Sequence, residues 1–421
     1  MSTETTRRQF ARLAAGTMTA LSASRVRGAN DRIRMGLIGC GNRGSQIWGF
    51  FVKQPQVEPV AVCDVYAPYL EKWKTQSGPE TRAYKDFREL LAQREIDAVA
   101  IATPDHWHAL MTVQACASGK DVYCEKPLSL TVTDGRKMLD AARKHSRIVQ
   151  TGCQQRSGEH YRQAVDLVRS GKLGEVRAID AGFMRNATQG FKPREITGEK
   201  PPTLDWDMWL GPAPLRPFDP FRCLYNFRWF WDYSGGQMTN WGAHDLDICR
   251  WMVGARAPVE IAGVGSRFVL RDGGETPDIQ NVLYRFDQAV VTWTAREISA
   301  GDPYSIVVHG TLGTMRLNRR GFDIKPELTE QRKPAMEPVH VDGAEFEERH
   351  IRNFLESIKS RNRPAGDVEE GHLTATMCHL GNISMRIGRS VRWDPQREEA
   401  QGDKEASGML SRPYRSPWKL D

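Results

Sequence analysis

The chain has 421 residues, 40% hydrophobic and 26% charged. That suffices for two domains with large cores and excludes a wholly disordered chain. No apolar run reaches the roughly 18–20 residues that span a bilayer, which excludes a multi-span membrane protein. The net charge of +7 raises the question of a nucleic-acid partner, but residues 1–29 alone hold five Arg and one Glu, leaving +3 for the rest. With no basic stripe or nucleic-acid motif, that partner is not expected.

Residues 1–29 read as an export signal. Thr6-Arg7-Arg8-Gln9-Phe10 is a twin-arginine motif, followed by a mildly apolar Leu13–Leu21 stretch too short to span a membrane. Such a signal is an address and not an anchor, so a periplasmic or extracellular location is expected, without stable membrane insertion. None of the eight Cys forms a C-x-x-C pair. Zinc-ribbon and redox-motif readings are therefore weak, no metal site is expected, and the thiols read as small buried hydrophobes.

From residue 32 to 152 strand-like and helix-like segments alternate. Apolar runs at 33–38, 57–63, 98–102, 121–124 and 147–152 are separated by helical patterns at 42–52, 67–76, 86–93, 108–117 and 131–145. This alternation predicts a doubly wound parallel sheet, a Rossmann-type α/β domain. Residues 153–394 read as a second α/β domain. A helix at 158–170 and a strand at 174–183 precede an irregular stretch at 186–230 rich in Pro, Trp and Phe. Strand-like runs at 259–270, 279–286, 289–297, 304–309 and 313–317 then predict a mainly antiparallel open sheet, followed by helices at 344–361 and 369–388. Residues 395–421 are polar and read as an extended tail.

Gly39-Cys40-Gly41-Asn42-Arg43-Gly44 fits G-x-G-x-x-G. It follows a strand, opens a helix and precedes Asp64 by 20 positions, the context of a dinucleotide site. Gly39 permits the tight turn, Gly41 lets backbone approach a pyrophosphate, and Gly44 allows close packing. The helix N-terminus favours the anion. Asn42 and Arg43 lie in the same loop, with Arg43 either against the pyrophosphate or in solvent. Asp64 suits ribose hydroxyls and disfavours a 2′-phosphate, so the expected cofactor is NAD. Thr103-Pro104-Asp105-His106-Trp107-His108 and Glu125-Lys126-Pro127 follow the next two strands and reach the same sheet edge. Thr103, Pro104, His106, His108, Glu125 and Lys126 are therefore candidate cofactor or substrate contacts. A Lys126 ammonium beside a positive nicotinamide would have a depressed pKa and could hold a hydroxyl or take its proton.

In this order and spacing the glycine loop, the Thr103–His108 loop and Glu125-Lys126-Pro127 resemble the Gfo/Idh/MocA oxidoreductases. The segment from Gly235 to Asp247 resembles that family's histidine segment. Asp367-Val368-Glu369-Glu370-Gly371-His372 and Gly381-Asn382-Ile383 resemble its exported bacterial subgroup. The resemblance covers about residues 32–394 and implies hydride transfer between a sugar or cyclitol and a nicotinamide. It casts Lys126 as a catalytic or substrate-orienting residue and His244 as the acid/base, and it implies a homodimer or tetramer. Where the family commonly has Asp, this chain has Asn240, which can hold a hydroxyl but cannot supply charge to His244. Asp247, three residues after His244, is the candidate replacement.

Trp206, Trp209, Tyr225, Phe227, Trp229, Phe230, Trp231, Tyr233 and Trp241 crowd one stretch and suit the C–H faces of a pyranose, or simply a core. Arg156 and Arg228 either contact a polyol or acid, or pair structurally. Export sharpens the chemistry, since no free NAD pool lies outside the cytoplasm. The expected function is an NAD-dependent oxidoreductase acting on a sugar, with a tightly bound cofactor. One alternative is a redox-neutral NAD-dependent glycosidase acting on a glycoside. The other is a non-catalytic sugar- or NAD-binding protein, motivated by Asn240.

Overall fold

The computed structural model describes residues 32–188, 196–301 and 305–420. The twin-arginine segment lies outside the described residues. No described helix is long and apolar enough to cross a membrane.

The first domain contains β1 (Ile33–Ile38), α1 (Asn42–Phe51), β2 (Val57–Cys63), α2 (Ala67–Ser77), β3 (Arg82–Tyr84), α3 (Phe87–Leu91), β4 (Ala98–Ile101), α4 (His108–Ala117), β5 (Asp121–Cys124), α5 (Val132–Lys144) and β6 (Val149–Thr151). The strands form one parallel sheet in the order β3-β2-β1-β4-β5-β6. Every residue of β4 and β5 is buried, as expected for strands covered by helices on both faces. The strand order reverses between β1 and β4, and the crevice at this switch point is where such sheets take ligands.

The second domain begins with α6 (Glu159–Arg169) and β7 (Val176–Met184), then α7 (Trp206–Leu210), α8 (Gly236–Asn240) and α9 (Gly242–Val253). Next come β8 (Glu260–Ser266), β9 (Ile279–Arg285), β10 (Val290–Arg296), β11 (Ile306–Gly310), β12 (Gly313–Asn318), β13 (Gly321–Pro326) and β14 (Val339–Asp342). The chain finishes with α10 (Glu347–Ser360), α11 (Val368–Ile387), β15 (Val391–Asp394), β16 (Glu399–Ala400) and α12 (Lys404–Gly408). Its ten-stranded sheet runs β14-β13-β12-β11-β7-β10-β9-β8-β15-β16. All pairings are antiparallel except β7 with β10. Strands β9 and β10 alternate buried and exposed residues, the pattern of a sheet with one packed face. Helices α6, α9 and α11 supply the apolar cover, including Val165, Leu246, Ile248, Met377 and Leu380.

Two elements tie the domains together. Helix α10 returns to the first domain, where Phe354 packs edge-on against Phe51 and Tyr123. Helix α11 buries Val368 and Ala375 in the first domain's core and Met377, Leu380 and Ile383 in the second's. The expected extended tail is instead a packed strap. After β16 and α12, Trp418 is buried beside Phe87 and Trp107, and the Arg415 Nε–H donates to the Gly211 carbonyl at 2.8 Å. Its polar composition hid the few apolar residues that anchor it. All eight cysteines are free and buried.

Candidate active site

A cleft of about 370 Å³ lies at the switch point, between the two domains. One end is built by the first domain. β1 ends at Gly39, whose φ of +90° is open to glycine, and an added Cβ would meet the Ala102 carbonyl at 2.7 Å. At Gly44 a Cβ would come 1.8 Å from the Gly39 oxygen, so the turn and the helix can approach this closely only with glycine at both places. The N-cap of α1, Gly41, offers no side-chain cap, and the first-turn N–H groups are left for an anion. Asn42 and Arg43 line the same end.

Asp64 follows β2. Its carboxylate accepts from Cys40 N at 2.7 Å and Tyr66 N at 2.8 Å, which fixes it on the cleft wall. Burial pushes its pKa up to about 6, against those hydrogen bonds. Thr103 and Pro104 follow β4 and also line the cleft. The Thr103 hydroxyl is buried with no partner among the described residues. An uncapped helix N-terminus, a glycine cradle, a ribose-facing carboxylate and an orphaned hydroxyl together fit NAD.

Glu125 is the hub below this end. It accepts from Arg43 Nε at 2.9 Å, Gln154 Nε2 at 3.1 Å and its neighbour's backbone, Lys126 N, at 3.2 Å. Arg43 also reaches Glu347 at 3.3 Å. It is thus an interdomain ion-pair residue at the cleft wall, held by two carboxylates.

At the other end Lys126, from the first domain, meets α8 and α9 of the second. The Lys126 ammonium donates to the Asn240 carbonyl at 2.8 Å and to its side-chain oxygen at 2.9 Å. Burial pulls its pKa down to about 8; Glu125 and Asp105 hold it up, and Arg228 and Arg43 add to the fall. An ammonium has three N–H donors, so one remains for a ligand. Asn240 is itself oriented: its Nδ2 donates to Gln237 Oε1 at 3.1 Å, and Gln237 Nε2 donates to the buried Glu297 carboxylate. That carboxylate can only accept, which turns the Gln237 oxygen toward Asn240 and the Asn240 oxygen toward Lys126. Asn240 therefore takes the Asp position as a neutral acceptor at the end of a directed chain.

His244, in the first turn of α9, lines the cleft and is buried. Burial and the charges of Lys126 and Arg319 hold its pKa well below the usual value, so the ring is neutral at pH 7. Its Nδ1 has no partner among the described residues. Asp247 does not supply charge to it. The Asp247 oxygens accept from Arg156 at 2.7 and 2.9 Å and from the Thr374 hydroxyl at 2.9 Å. The role proposed for Asp247 is corrected accordingly: it closes a buried ion pair, and Arg156 is structural with it.

Two further candidates turn away from the cleft. His106 Nε2 contacts the Trp209 carbonyl at 3.1 Å, among the Trp209 and Tyr233 rings. His108 has carbonyl oxygens at both nitrogens, Pro127 at 2.7 Å and Thr103 at 3.0 Å. Both brace the loops that carry Thr103 and Lys126. Gly371 and His372 are likewise structural: a Cβ at Gly371 would strike Thr151, and His372 Nε2 pairs with Glu398 at 2.8 Å. The aromatic stretch divides. Trp206, Trp229, Phe230 and Tyr233 belong to a separate core, Trp209 and Phe227 belong to that core and also reach the cleft, and Tyr225 and Trp241 line the cleft. Sequence reasoning missed Arg319, which lines the cleft from the β12–β13 turn. The only signal was a basic pair before Gly321 in a hairpin turn.

Comparison with known proteins agrees with the two-domain fold. Residues 33–153 match the Gfo/Idh/MocA oxidoreductase family's NAD-binding Rossmann fold, and residues 173–420 match its C-terminal alpha/beta domain. Myo-inositol 2-dehydrogenase of Thermotoga maritima is 24% identical over 367 residues, covering 86% of this chain and 98% of its own. A glycosyl hydrolase family 109 protein of Shewanella sp. (strain W3-18-1) is 30% identical over 166 residues, covering 37% of this chain but 35% of its own. The WlbA dehydrogenase of Bordetella pertussis, solved with NADH and UDP-GlcNAcA, superposes with a TM-score of 0.67 at 19% identity, covering 86% of this chain and 99% of its own. With both domains matched and the dinucleotide cradle in place, the chain belongs to the Gfo/Idh/MocA oxidoreductase family and carries its NAD-binding Rossmann domain.

Proposed function

We propose that the protein oxidises a secondary hydroxyl of a sugar or polyol, with NAD held in the cleft. The observation that carries this reading is the meeting of Lys126 and His244, one from each domain, on one wall beside the dinucleotide cradle. The family membership and the inositol dehydrogenase relative support the substrate class. When bound, NAD supplies a nicotinamide carbon that takes a hydride from the substrate carbon. The hydroxyl proton then needs an acceptor, and the neutral His244 ring is the base within the cleft. The free N–H of the Lys126 ammonium holds the substrate oxygen and stabilises the negative charge that grows there. Glu297, Gln237 and Asn240 aim that ammonium.

The test offers a panel of sugars and cyclitols to the NAD-loaded protein and follows NADH absorbance. Lys126→Ala should lower turnover by at least about 100-fold while NAD remains bound; undiminished turnover would sink the assignment. A redox-neutral glycosidase is the second reading, supported by the glycosyl hydrolase relative and by the twin-arginine motif. Its signature is aglycone release over many turnovers with no net NADH.

Export by the twin-arginine route belongs to this proposal, and with it a cofactor that stays bound. Replacing Arg7 and Arg8 by Lys should retain the protein in the cytoplasm. Denaturing the exported protein should release stoichiometric NAD.

A further inference from the structure

The substrate end of the cleft holds two arginines that form no ion pair with a carboxylate among the described residues. Arg319 reaches it from the second domain. Its guanidinium stacks 4.7 Å from the Trp241 ring and 5.6 Å from the Phe346 ring, and its buried Nε has no partner among the described residues. Arg228 lies 4.5 Å from both the Tyr225 and Phe227 rings and donates to the Tyr225 carbonyl at 2.8 Å. Neither forms an ion pair among the described residues. By contrast Arg43, on the cleft wall, and Arg156 each bind two carboxylates.

The nearby acids do not cancel this charge. Asp245 interacts with Arg319 only beyond ion-pair distance, and burial, which disfavours its charged form, pushes its carboxyl up to about 7. Asp105, near Arg228, accepts from the Ser234 hydroxyl, and Glu125 is engaged by Arg43. Lys126 adds a third cation. The NAD pyrophosphate would be held at the N-terminus of α1, whereas Arg319 lies near enough to His244 to disfavour its charged form. Each of these planar guanidiniums, held against aromatic faces on the cleft wall and poor in acceptors, suits a planar or tetrahedral oxyanion.

We propose that the substrate is an anionic carbohydrate, with a carboxylate or phosphate group held by Arg319 and Arg228 while the reacting hydroxyl lies at Lys126 and His244. This rests on the oxidoreductase reading above for the identity of the reacting group.

The test is calorimetric titration of the NAD-loaded, full-length protein at low salt. Matched probes are used: glucose, glucuronate and a glucose phosphate, and the same three forms of galactose. The anionic member of at least one set should bind about 10-fold or more tightly than its neutral parent. Whether carboxylate or phosphate wins identifies the anion. Arg319→Met and Arg228→Met should bring that ratio toward one, with Arg319→Lys keeping part of it. Retained NAD in each variant confirms the fold.

Equal affinity for neutral and anionic members, a ratio unchanged in both Met variants, or no binding by any probe overturns the proposal. Hydride transfer is read separately. Turnover of neutral sugars without anion preference sinks the anion site and leaves the oxidoreductase reading. Anion binding without hydride transfer does the reverse.

Discussion

At the residue scale the central fact is the state of Lys126. With a pKa near 8 the ammonium is charged at pH 7 and loses its proton just above. Glu125 and Asp105 hold it up while Arg228 and Arg43 push it down, so its ionisation reports on the whole cluster. His244 stays neutral across this range. Oxidation measured as kcat/KM should therefore fall above about pH 8. Lys126→Arg should remove that fall, because a guanidinium keeps its charge; a fall that persists would assign the ionisation elsewhere.

Asn240→Asp places a carboxylate beside the ammonium and should move the inflection upward. It also opposes one carboxylate oxygen to Gln237 Oε1, since Glu297 prevents the Gln237 amide from turning over. A loss of stability of about 1–3 kcal/mol is expected in denaturant titration. These details were invisible in the sequence. Asn240 stood out as a departure from a pattern, but Gln237 and Glu297 lie 60 positions apart in the chain. Asp247 was misplaced because helical spacing gives proximity along α9 and says nothing of Arg156, which arrives from a different segment.

At the element scale the glycine loop was legible because its constraint is local. Strand, turn and helix are consecutive, and the clash that excludes a Cβ at Gly44 comes from Gly39, five residues away. Gly44→Ala should abolish NAD binding or unfold the first domain, checked by cofactor retention and circular dichroism; a variant that binds NAD normally would refute the close-packing role. The terminal strap was not legible. Its polar composition implies solvation, yet Trp418 packs edge-on against Trp107, 4.9 Å between ring centroids. Trp418→Ala should cost about 3–5 kcal/mol, read from the urea midpoint. An effect below about 1 kcal/mol would mean that the strap is not part of the core. Strands β13 to β16 were missed for a related reason: short runs interrupted by charge show little periodicity when only one face is packed.

At the scale of the whole molecule the two domains share elements. Helix α10 adds Ile351, Phe354 and Leu355 to a core otherwise made by the first domain, and the Arg43–Glu347 pair joins the domains at the cleft wall. The protein should unfold in a single calorimetric transition. NAD at 100 times its dissociation constant should stabilise it by about 2.7 kcal/mol. Two resolved transitions, only one of them shifted by NAD, would show that the shared helices do not couple the domains.

By itself the sequence determined the strand–helix alternation of the first domain, the dinucleotide cradle and the place of Lys126 after a sheet strand, because each depends on periodicity or spacing within a few tens of residues, whereas His244 entered through the family resemblance. The tertiary structure decided which candidates face the cleft. It turned His106 and His108 into braces and Asp247 into half of an ion pair, and it brought Arg319 from a distant hairpin to the substrate end. A side chain's partner in a folded protein is set by packing between segments remote in the chain, and no local pattern records that.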